Sequence, residues 1–593
     1  MGTGRGTNSK TLADLLPLAA EAYGDAPAVR YKDGDGWVSK SFSEVREIVR
    51  PLALGLAELG VQKGDRVSIL GNTRPEWTYF DFAALSIGAT VVPIYQTNSP
   101  EECRYVLENS DAKVVVVEDD EQLEKIRQVR DQLPQLQHVV RMTGSSDDAL
   151  SAEQLAAKAS GDDARWQELY SAVTPADICT FIYTSGTTGP PKGCVISHGN
   201  YRAMLDMVNE TSVIENEDVT YLYLPLAHSF ALLIQLGSFD LGATIAYWER
   251  DPLKIMPNLA ELKPSYFPSV PRIFEKIYTM ATSAMEKEGG IKKKVFDWSI
   301  KVGGKMRETE RSGRQPGFLL KRQYAFADEK VLSKIRNLFG GNLRLAVSGA
   351  APINPEILRF FDAAGVLVLE GWGMTETSTA ATISSPDDFK IGTIGKPFPG
   401  CEVKIAGDGE ILVKGPNVFQ GYHKNEEATR ETIVDGWLHT GDIGEIDSEG
   451  FIKITGRKKD IIITAGGKNI TPANLEADIK QHPLVSQCVV VGDRRPYLVA
   501  LVTLDPEEAV AYAKENGLPE DPAQLAANPD IKASIEAHVE EINKNYARVE
   551  QVKKISILPE DLSQENGELT PTLKVKRAVV AQKHESSIEA LYA

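Results

Sequence analysis

The residues best suited to chemistry lie together at 183–193, Tyr-Thr-Ser-Gly-Thr-Thr-Gly-Pro-Pro-Lys-Gly. Glycines at 186, 189 and 193 free the backbone to turn successive N–H groups toward one point. The hydroxyls of Thr184, Ser185, Thr187 and Thr188 and the ammonium of Lys192 add donors and positive charge. Such a loop suits a polyphosphate. It is not a common P-loop, because no glycine stands before Lys192 and no Ser or Thr after it, and no G-x-G-x-x-G occurs elsewhere. The chain has 593 residues, 42% hydrophobic and 25% charged, with a net charge of −18. That balance excludes nucleic acid as the main partner, which would need a dominant basic face. Anionic ligands must instead be held by local devices: backbone N–H groups, single lysines and a metal ion.

Further segments follow the loop in a fixed order. They are Gly349-Ala350-Ala351-Pro352, Gly371-Trp372-Gly373-Met374-Thr375-Glu376, Leu438-His439-Thr440-Gly441-Asp442, Gly456-Arg457-Lys458-Lys459-Asp460 and Leu569-Thr570-Pro571-Thr572-Leu573-Lys574. With the loop, they resemble the ordered motifs of the adenylate-forming superfamily: acyl-CoA synthetases, peptide-synthetase adenylation domains and luciferases. The likeness spans roughly residues 10 to 580.

The resemblance implies a role for each segment. Thr184, Ser185, Gly186, Thr187, Thr188, Gly189 and Lys192 would hold the phosphates of ATP. Gly349, Ala350, Ala351, Trp372, Gly373 and Met374 would line the adenine, with Trp372 as its aromatic face where the family more often has Tyr. Thr375 would donate to a phosphate, and Glu376, a hard oxygen ligand, would hold Mg²⁺ together with Thr184. Asp442 would accept both ribose hydroxyls, and Arg457 would reach ribose or phosphate. Lys459 falls on the family's hinge. Lys574 matches the family's catalytic lysine, although Leu573 stands where some members have Gly. His228, within Leu224-Pro225-Leu226-Ala227-His228-Ser229-Phe230, matches the residue at the acyl pocket. Gly466, Gly467 and Lys468 resemble the loop that admits the pantetheine arm of coenzyme A.

These residues need a scaffold. Helical spacing over 43–59, a strand at 66–70, a helix at 75–87 and a strand at 89–93 predict parallel strands covered by helices, an α/β class. Residues 143–165 are small and polar and read as a surface linker. After Gly400 the strands shorten at 402–405, 410–414 and 451–455, which suits a small barrel-like β unit. Beyond Arg457 a strand, a helix at 472–481, strands at 485–491 and 498–504, helices and a last strand at 553–558 predict a small mobile α+β domain. The expected division is 1–456 for the large N-terminal domain and 457–593 for the C-terminal one.

Three features within the superfamily point to long-chain acyl-CoA synthetases: the segment 268–276 (Pro-Ser-Val-Pro-Arg-Ile-Phe-Glu-Lys), the basic insertion after it, and the segment 435–444. Ser229, Phe230, Ala231 and Leu232 offer an apolar lining for an alkyl tail, where each buried CH₂ contributes about 0.8 kcal/mol. The expected partners are therefore a long-chain fatty acid, ATP with Mg²⁺, and coenzyme A. A fatty acyl-AMP ligase that serves a carrier protein, and a non-catalytic acyl-nucleotide-binding relative, stand as alternatives. Residues 285–336 carry 14 basic and 7 acidic residues. Val295, Trp298, Val302 and Met306 lie there at helical spacing beside Lys292, Lys293 and Lys294, a pattern that suits peripheral contact with an anionic membrane or, as for most amphipathic helices of globular enzymes, packing of the stripe on the protein's own core. Five cysteines without C-x-x-C spacing, no apolar run of about 18 residues and no signal-like start predict a reduced, cytosolic protein.

Overall fold

The computed structural model describes residues 6–184, 190–464, 469–570 and 574–593. Ser185, Gly186, Thr187, Thr188 and Gly189, like Gly466, Gly467 and Lys468, lie outside the described residues.

Two mixed sheets carry the first 420 or so residues. In the eight-stranded one, Ile178–Thr184, Thr90–Ile94, Arg66–Leu70, Val114–Val117 and His138–Arg141 run parallel, and Lys192–Ser197 folds back on Ile178–Thr184 as an antiparallel hairpin. Val114–Val117 is buried throughout. A strand covered on both faces reads as a continuous apolar run rather than an alternating one. The helix expected near 43–59 is Phe42–Glu58, started by a reciprocal capping box between Ser41 and Glu44. In the nine-stranded sheet, Val368–Trp372, Leu345–Ser348, Tyr266–Ser269, Val219–Leu222, Thr244–Tyr247 and Pro27–Asp33 run parallel, with antiparallel strands at both edges. One apolar core joins the two sheets and includes the fully buried Trp77, Phe82, Tyr201 and Phe239.

The segment 143–165 is not a surface linker. Leu150–Ser151 pairs with the eight-stranded sheet, Ser151 caps the helix Ala152–Ala156, and Leu155 is fully buried. A Cβ on Gly55 would lie 2.3 Å from the Leu155 carbonyl oxygen, so the chain touches helix Phe42–Glu58 backbone to backbone. One anchoring leucine and one glycine opposite it suffice, and polar composition conceals both.

The short strands Glu402–Ile405, Glu410–Lys414, Trp437–Ile446, Ile433–Val434 and Ile452–Arg457 form a five-stranded antiparallel sheet. Beyond it, Val485–Val491, Leu498–Leu504 and Val552–Ile557 form a three-stranded sheet packed by helices Pro472–Ile479, Pro506–Asn516 and Pro529–Asn543. Leu475, Ile479, Val502, Ile531 and Ile535 give this part a core of its own.

The basic insertion forms helices Gly290–Arg311 and Phe318–Ala327. Its apolar stripe is turned inward, the core-packing alternative of the two. Val302 is buried, and it and Trp298 pack with Ala327, Leu332 and Tyr324. On the adjoining face Phe296 packs with Phe360, and a Cβ on Gly303 would lie 2.1 Å from the Ala363 carbonyl oxygen. Helical spacing identified residues on one face correctly but not what covers that face. Among the described residues no helix is long and apolar enough to cross a membrane.

Candidate active site

Chain leaving the carboxyl ends of neighbouring parallel strands supplies much of the site, where open α/β sheets bind ligands. His228 follows Val219–Leu222, Gly349, Ala350 and Ala351 follow Leu345–Ser348, and Val368–Trp372 ends at Trp372 itself. His228 caps helix Ser229–Leu241, its Nδ1 accepting the Phe230 N–H at 3.2 Å. The ring proton therefore sits on Nε2. Burial, and then the Lys574 ammonium, push the His228 pKa down to about 3, so the ring stays neutral and offers one N–H.

After Trp372 the chain crosses itself. A Cβ on Gly373 would lie 2.3 Å from the Thr379 carbonyl oxygen and 2.4 Å from the Ala380 Cα, so only glycine fits. The turn that follows buries Thr375 and Glu376. Glu376 Oε1 accepts the Tyr422 hydroxyl at 2.6 Å, and its backbone carbonyl accepts the Phe419 N–H at 2.9 Å. The Lys192 ammonium stands 5.0 Å from the centre of the Tyr422 ring, and Lys192 pairs with Thr184 across the hairpin. Glu376, Tyr422, Lys192 and Thr184 thus form one continuous group. Glu376 is a hard oxygen donor of the kind that could hold a divalent cation beside the phosphates.

Asp442 faces Arg457 across the five-stranded sheet. Its Oδ1 forms an ion pair with Arg457 Nε at 3.1 Å, and its Oδ2 accepts the Trp372 indole N–H at 2.9 Å. Each oxygen keeps a lone pair for a hydroxyl. The indole is held by its edge and almost wholly buried. Burial raises the Asp442 pKa above the usual carboxylate value, and Arg457, the Trp372 N–H and Lys574 oppose that rise. Behind this group the buried Glu410 accepts the Gly441 N–H at 2.8 Å and Lys458 at 3.1 Å and pairs with His439 at 3.0 Å, which fixes the turn that carries Asp442.

Lys574 comes from the C-terminal part. The Thr570 N–H donates to the Lys574 carbonyl at 2.8 Å and the Lys574 N–H to Thr570 Oγ1 at 3.0 Å, inside a Leu569–Val575 bridge. These bonds close the loop without a glycine before the lysine. Lys574 is exposed. Desolvation and then the Arg457 charge push its ammonium below the usual lysine value, while Asp442 and Glu376 act the other way. Lys574, Arg457, Asp442, Glu376 and His228 therefore share one electrostatic neighbourhood. Lys459 sits in the exposed turn after Arg457. Tyr422, Glu410 and Thr570 escaped the sequence reading. Thr570 lay within the lysine motif but was given no role, whereas Tyr422 and Glu410 had no local signal because their partners lie far off in the chain.

A lysine brought from a second domain to a carboxylate at the ends of parallel strands defines a two-domain, nucleotide-dependent enzyme. The chain belongs to the AMP-binding enzyme family, which it matches over residues 16–423; residues 459–593 match the AMP-binding enzyme C-terminal domain. It is 42% identical over 561 residues to the long-chain-fatty-acid–CoA ligase FadD15 of Mycobacterium tuberculosis, covering 94% of this chain and 92% of that protein. It is 34% identical to the long-chain-fatty-acid–CoA ligase ACSBG2 of Xenopus laevis, covering 98% of this chain and 84% of that one. Among solved structures, a Mycobacterium tuberculosis fatty acyl CoA synthetase aligns with TM-score 0.62 at 23% identity over 98% of this chain and 99% of that chain. The anthranilate CoA ligase AuaEII, in complex with anthranoyl-AMP, aligns with TM-score 0.72 at 22% identity over 97% of both chains. At those identities the two structures speak for the fold.

Proposed function

We propose that this protein activates a long-chain fatty acid with ATP to acyl-AMP and then transfers the acyl group to coenzyme A, releasing AMP. The observation that carries the reading is the convergence of Lys574 with Asp442, Arg457, Glu376 and His228. In the first half-reaction a carboxylate oxygen attacks the α-phosphorus, a P–O bond forms, and the bond to pyrophosphate breaks. The Lys574 ammonium neutralises the charge growing between carboxylate and phosphate. Neutral His228 donates Nε2–H toward the carboxylate, and helix Ser229–Leu241, nearly all of it buried and with Ala231, Leu232, Leu233 and Ile234 among its apolar residues, supports an alkyl pocket. Asp442 takes the ribose hydroxyls through its remaining lone pairs and Arg457 serves the ribose or phosphate. Gly349, Ala350, Ala351, Trp372, Gly373 and Met374 enclose the adenine.

Thr184, Lys192, Thr375 and the 185–189 loop hold the phosphates. Glu376 and Thr184 would hold Mg²⁺, which when bound supplies charge neutralisation on the polyphosphate. In the second half-reaction the C-terminal domain, from 457 onward, turns about Lys459. Lys574 withdraws, and Gly466, Gly467 and Lys468 line the path of the pantetheine arm. The thiolate attacks the acyl carbonyl, a C–S bond forms and AMP leaves. Turning the domain keeps the anhydride from water between the halves.

A cytoplasmic location with peripheral membrane contact completes the reading, and the contact is carried by Phe318 and Leu319 rather than by the inward-turned stripe. The function is tested by resolving products by mass with a panel of fatty acids, with and without coenzyme A. Acyl-CoA, AMP and pyrophosphate are expected. Acyl-AMP that never becomes a thioester would favour a carrier-protein acceptor, and ADP with orthophosphate would overturn the reading.

A further inference from the structure

The segment 268–276 marks the chain as long-chain-like, yet none of its side chains enters the site described above. Ser269 ends a site-lining strand, and helix Pro271–Glu288 leaves from it. Arg272 and Lys276 are four residues apart on that helix and so share a face. Both reach the C-terminal part of the chain: Arg272 pairs with Asp505 and Lys276 with Glu507, each at 2.7 Å. Asp505 is held in place for this, because its Oδ1 caps helix Pro506–Asn516, accepting the N–H groups of Glu507 and Glu508, while Oδ2 faces Arg272.

A third contact has the same polarity. Asn354 Nδ2 donates to Asp478 Oδ1 at 3.0 Å. Asn354 Oδ1 meanwhile caps helix Pro355–Ala364, and Asp478 Oδ2 accepts the Tyr546 hydroxyl at 2.6 Å. In all three, the donor belongs to the large domain and follows strand Tyr266–Ser269 or its register partner Leu345–Ser348, and the acceptor belongs to the small one. Ser269 and Ser348, at the ends of those strands, are partners in register. The contacts therefore tie the small domain, and Lys574 with it, to the strand ends that carry the site.

We propose that Arg272 and Lys276 are positioning residues that seat the C-terminal domain in the orientation in which Lys574 serves adenylation. This rests on the reading above that the domain adopts a second orientation for thioester formation. Neither ion pair is buried: Lys276 and Glu507 are exposed at 48% and 60%, and the Arg272 side chain is exposed beside a half-buried Asp505. Exposed pairs are individually weak, which suits contacts that must part in every turnover. A buried pair would hold one orientation too firmly.

The test compares two single-turnover rates in the full-length enzyme: acyl-AMP formation from fatty acid and ATP, and thioester formation from supplied acyl-AMP and coenzyme A. The double variant Arg272→Glu/Lys276→Glu should slow the first by about fivefold, as expected for losing two exposed pairs, and leave the second unchanged or faster. Adding Glu507→Lys to Lys276→Glu should restore adenylation. In the wild type, raising salt from 0.1 M to 1 M, which shortens the screening length from about 10 Å to about 3 Å, should slow adenylation selectively. Equal slowing of both steps, or of neither, would overturn the proposal. Lys574→Ala serves as the control. If it also slows both steps alike, the two-orientation reading itself falls; if it slows only adenylation while the double variant is silent, the seating role alone falls.

Discussion

Lys574 must stay cationic to do its work, yet its surroundings lower its proton affinity. Desolvation and the Arg457 charge outweigh Asp442 and Glu376, so its pKa lies below the ordinary 10.5. Its charge is present below that depressed pKa and is lost as pH rises through it. The adenylation rate should therefore fall on the alkaline side before a free lysine would titrate. Lys574→Arg should keep its rate there, because guanidinium does not deprotonate in this range. Lys574→Ala should lose 10²-fold or more at neutral pH, roughly 3 kcal/mol of transition-state stabilisation. Single-turnover pH profiles decide this, and a wild-type profile that stays flat beyond pH 10 would refute the depressed ammonium. His228 contributes no limb above pH 5, because its pKa of about 3 keeps it neutral.

Every residue of helix Pro75–Ser86 but Glu76 is buried, so its second carboxylate, Asp81, lies in the core. Gln235 Nε2 on helix Ser229–Leu241 donates to Asp81 at 2.7 Å, and the Thr78 hydroxyl donates to Gln235 Oε1 at 2.6 Å. A polar chain thus joins two helices that otherwise meet through apolar contacts. Burial pushes the Asp81 pKa up to about 7, against the opposing Gln235 bond. The folded state then binds more protons than the unfolded one between about pH 4 and pH 7, and this group's contribution to stability declines as pH rises through that window. Asp81→Asn keeps an acceptor for Gln235 and cannot ionise. Its melting temperature should exceed that of the wild type at pH 8, with the difference shrinking toward pH 4. A constant offset at both pH values would assign the effect to packing instead.

Charge is divided unevenly over the molecule. A net −18 overall coexists with a local excess of 7 positive charges over 285–336. The exposed large apolar residues of that insertion include Phe318 at 76% and Leu319 at 69%, with Phe326 and Ile291 apart from them. From 311 to 322 there is no acidic residue. Arg311 pairs with Asp362, and Arg322 lies over the Phe318 ring; among the described residues Arg314, Lys321 and Arg322 have no acidic partner. Two projecting apolar side chains ringed by unpaired cations suit an anionic lipid surface, where each cation near the surface contributes about 1 kcal/mol. Co-sedimentation should show binding to anionic vesicles that weakens with salt, with Arg314→Gln/Lys321→Gln/Arg322→Gln, and with Phe318→Ser/Leu319→Ser. Equal, negligible binding to anionic and neutral vesicles would dismiss the contact.

The chemistry of individual segments was open to reading because it is local. Glycines and hydroxyls around Lys192, the turn that Gly373 permits before Glu376, and the alternation of strands and helices all lie within a few residues of one another. Helix Phe42–Glu58 announced itself by spacing and by its cap for the same reason. Packing decided the rest. Tyr422 reaches Glu376 and Lys192 only because Gly421–Tyr422 pairs with the edge of the hairpin. Asp442 has both oxygens engaged only because Trp372 and Arg457 arrive from elsewhere. The stripe at Val302 stayed open between membrane and core, and the helix at Leu155 was misread, for one reason: periodicity and composition show which residues share a face, whereas what covers that face depends on chain far away in sequence. Arg272 and Lys276 belong to that class too. Their spacing was plain, but the acidic residues they meet lie more than two hundred positions further on, in a domain that must dock before the pairs exist.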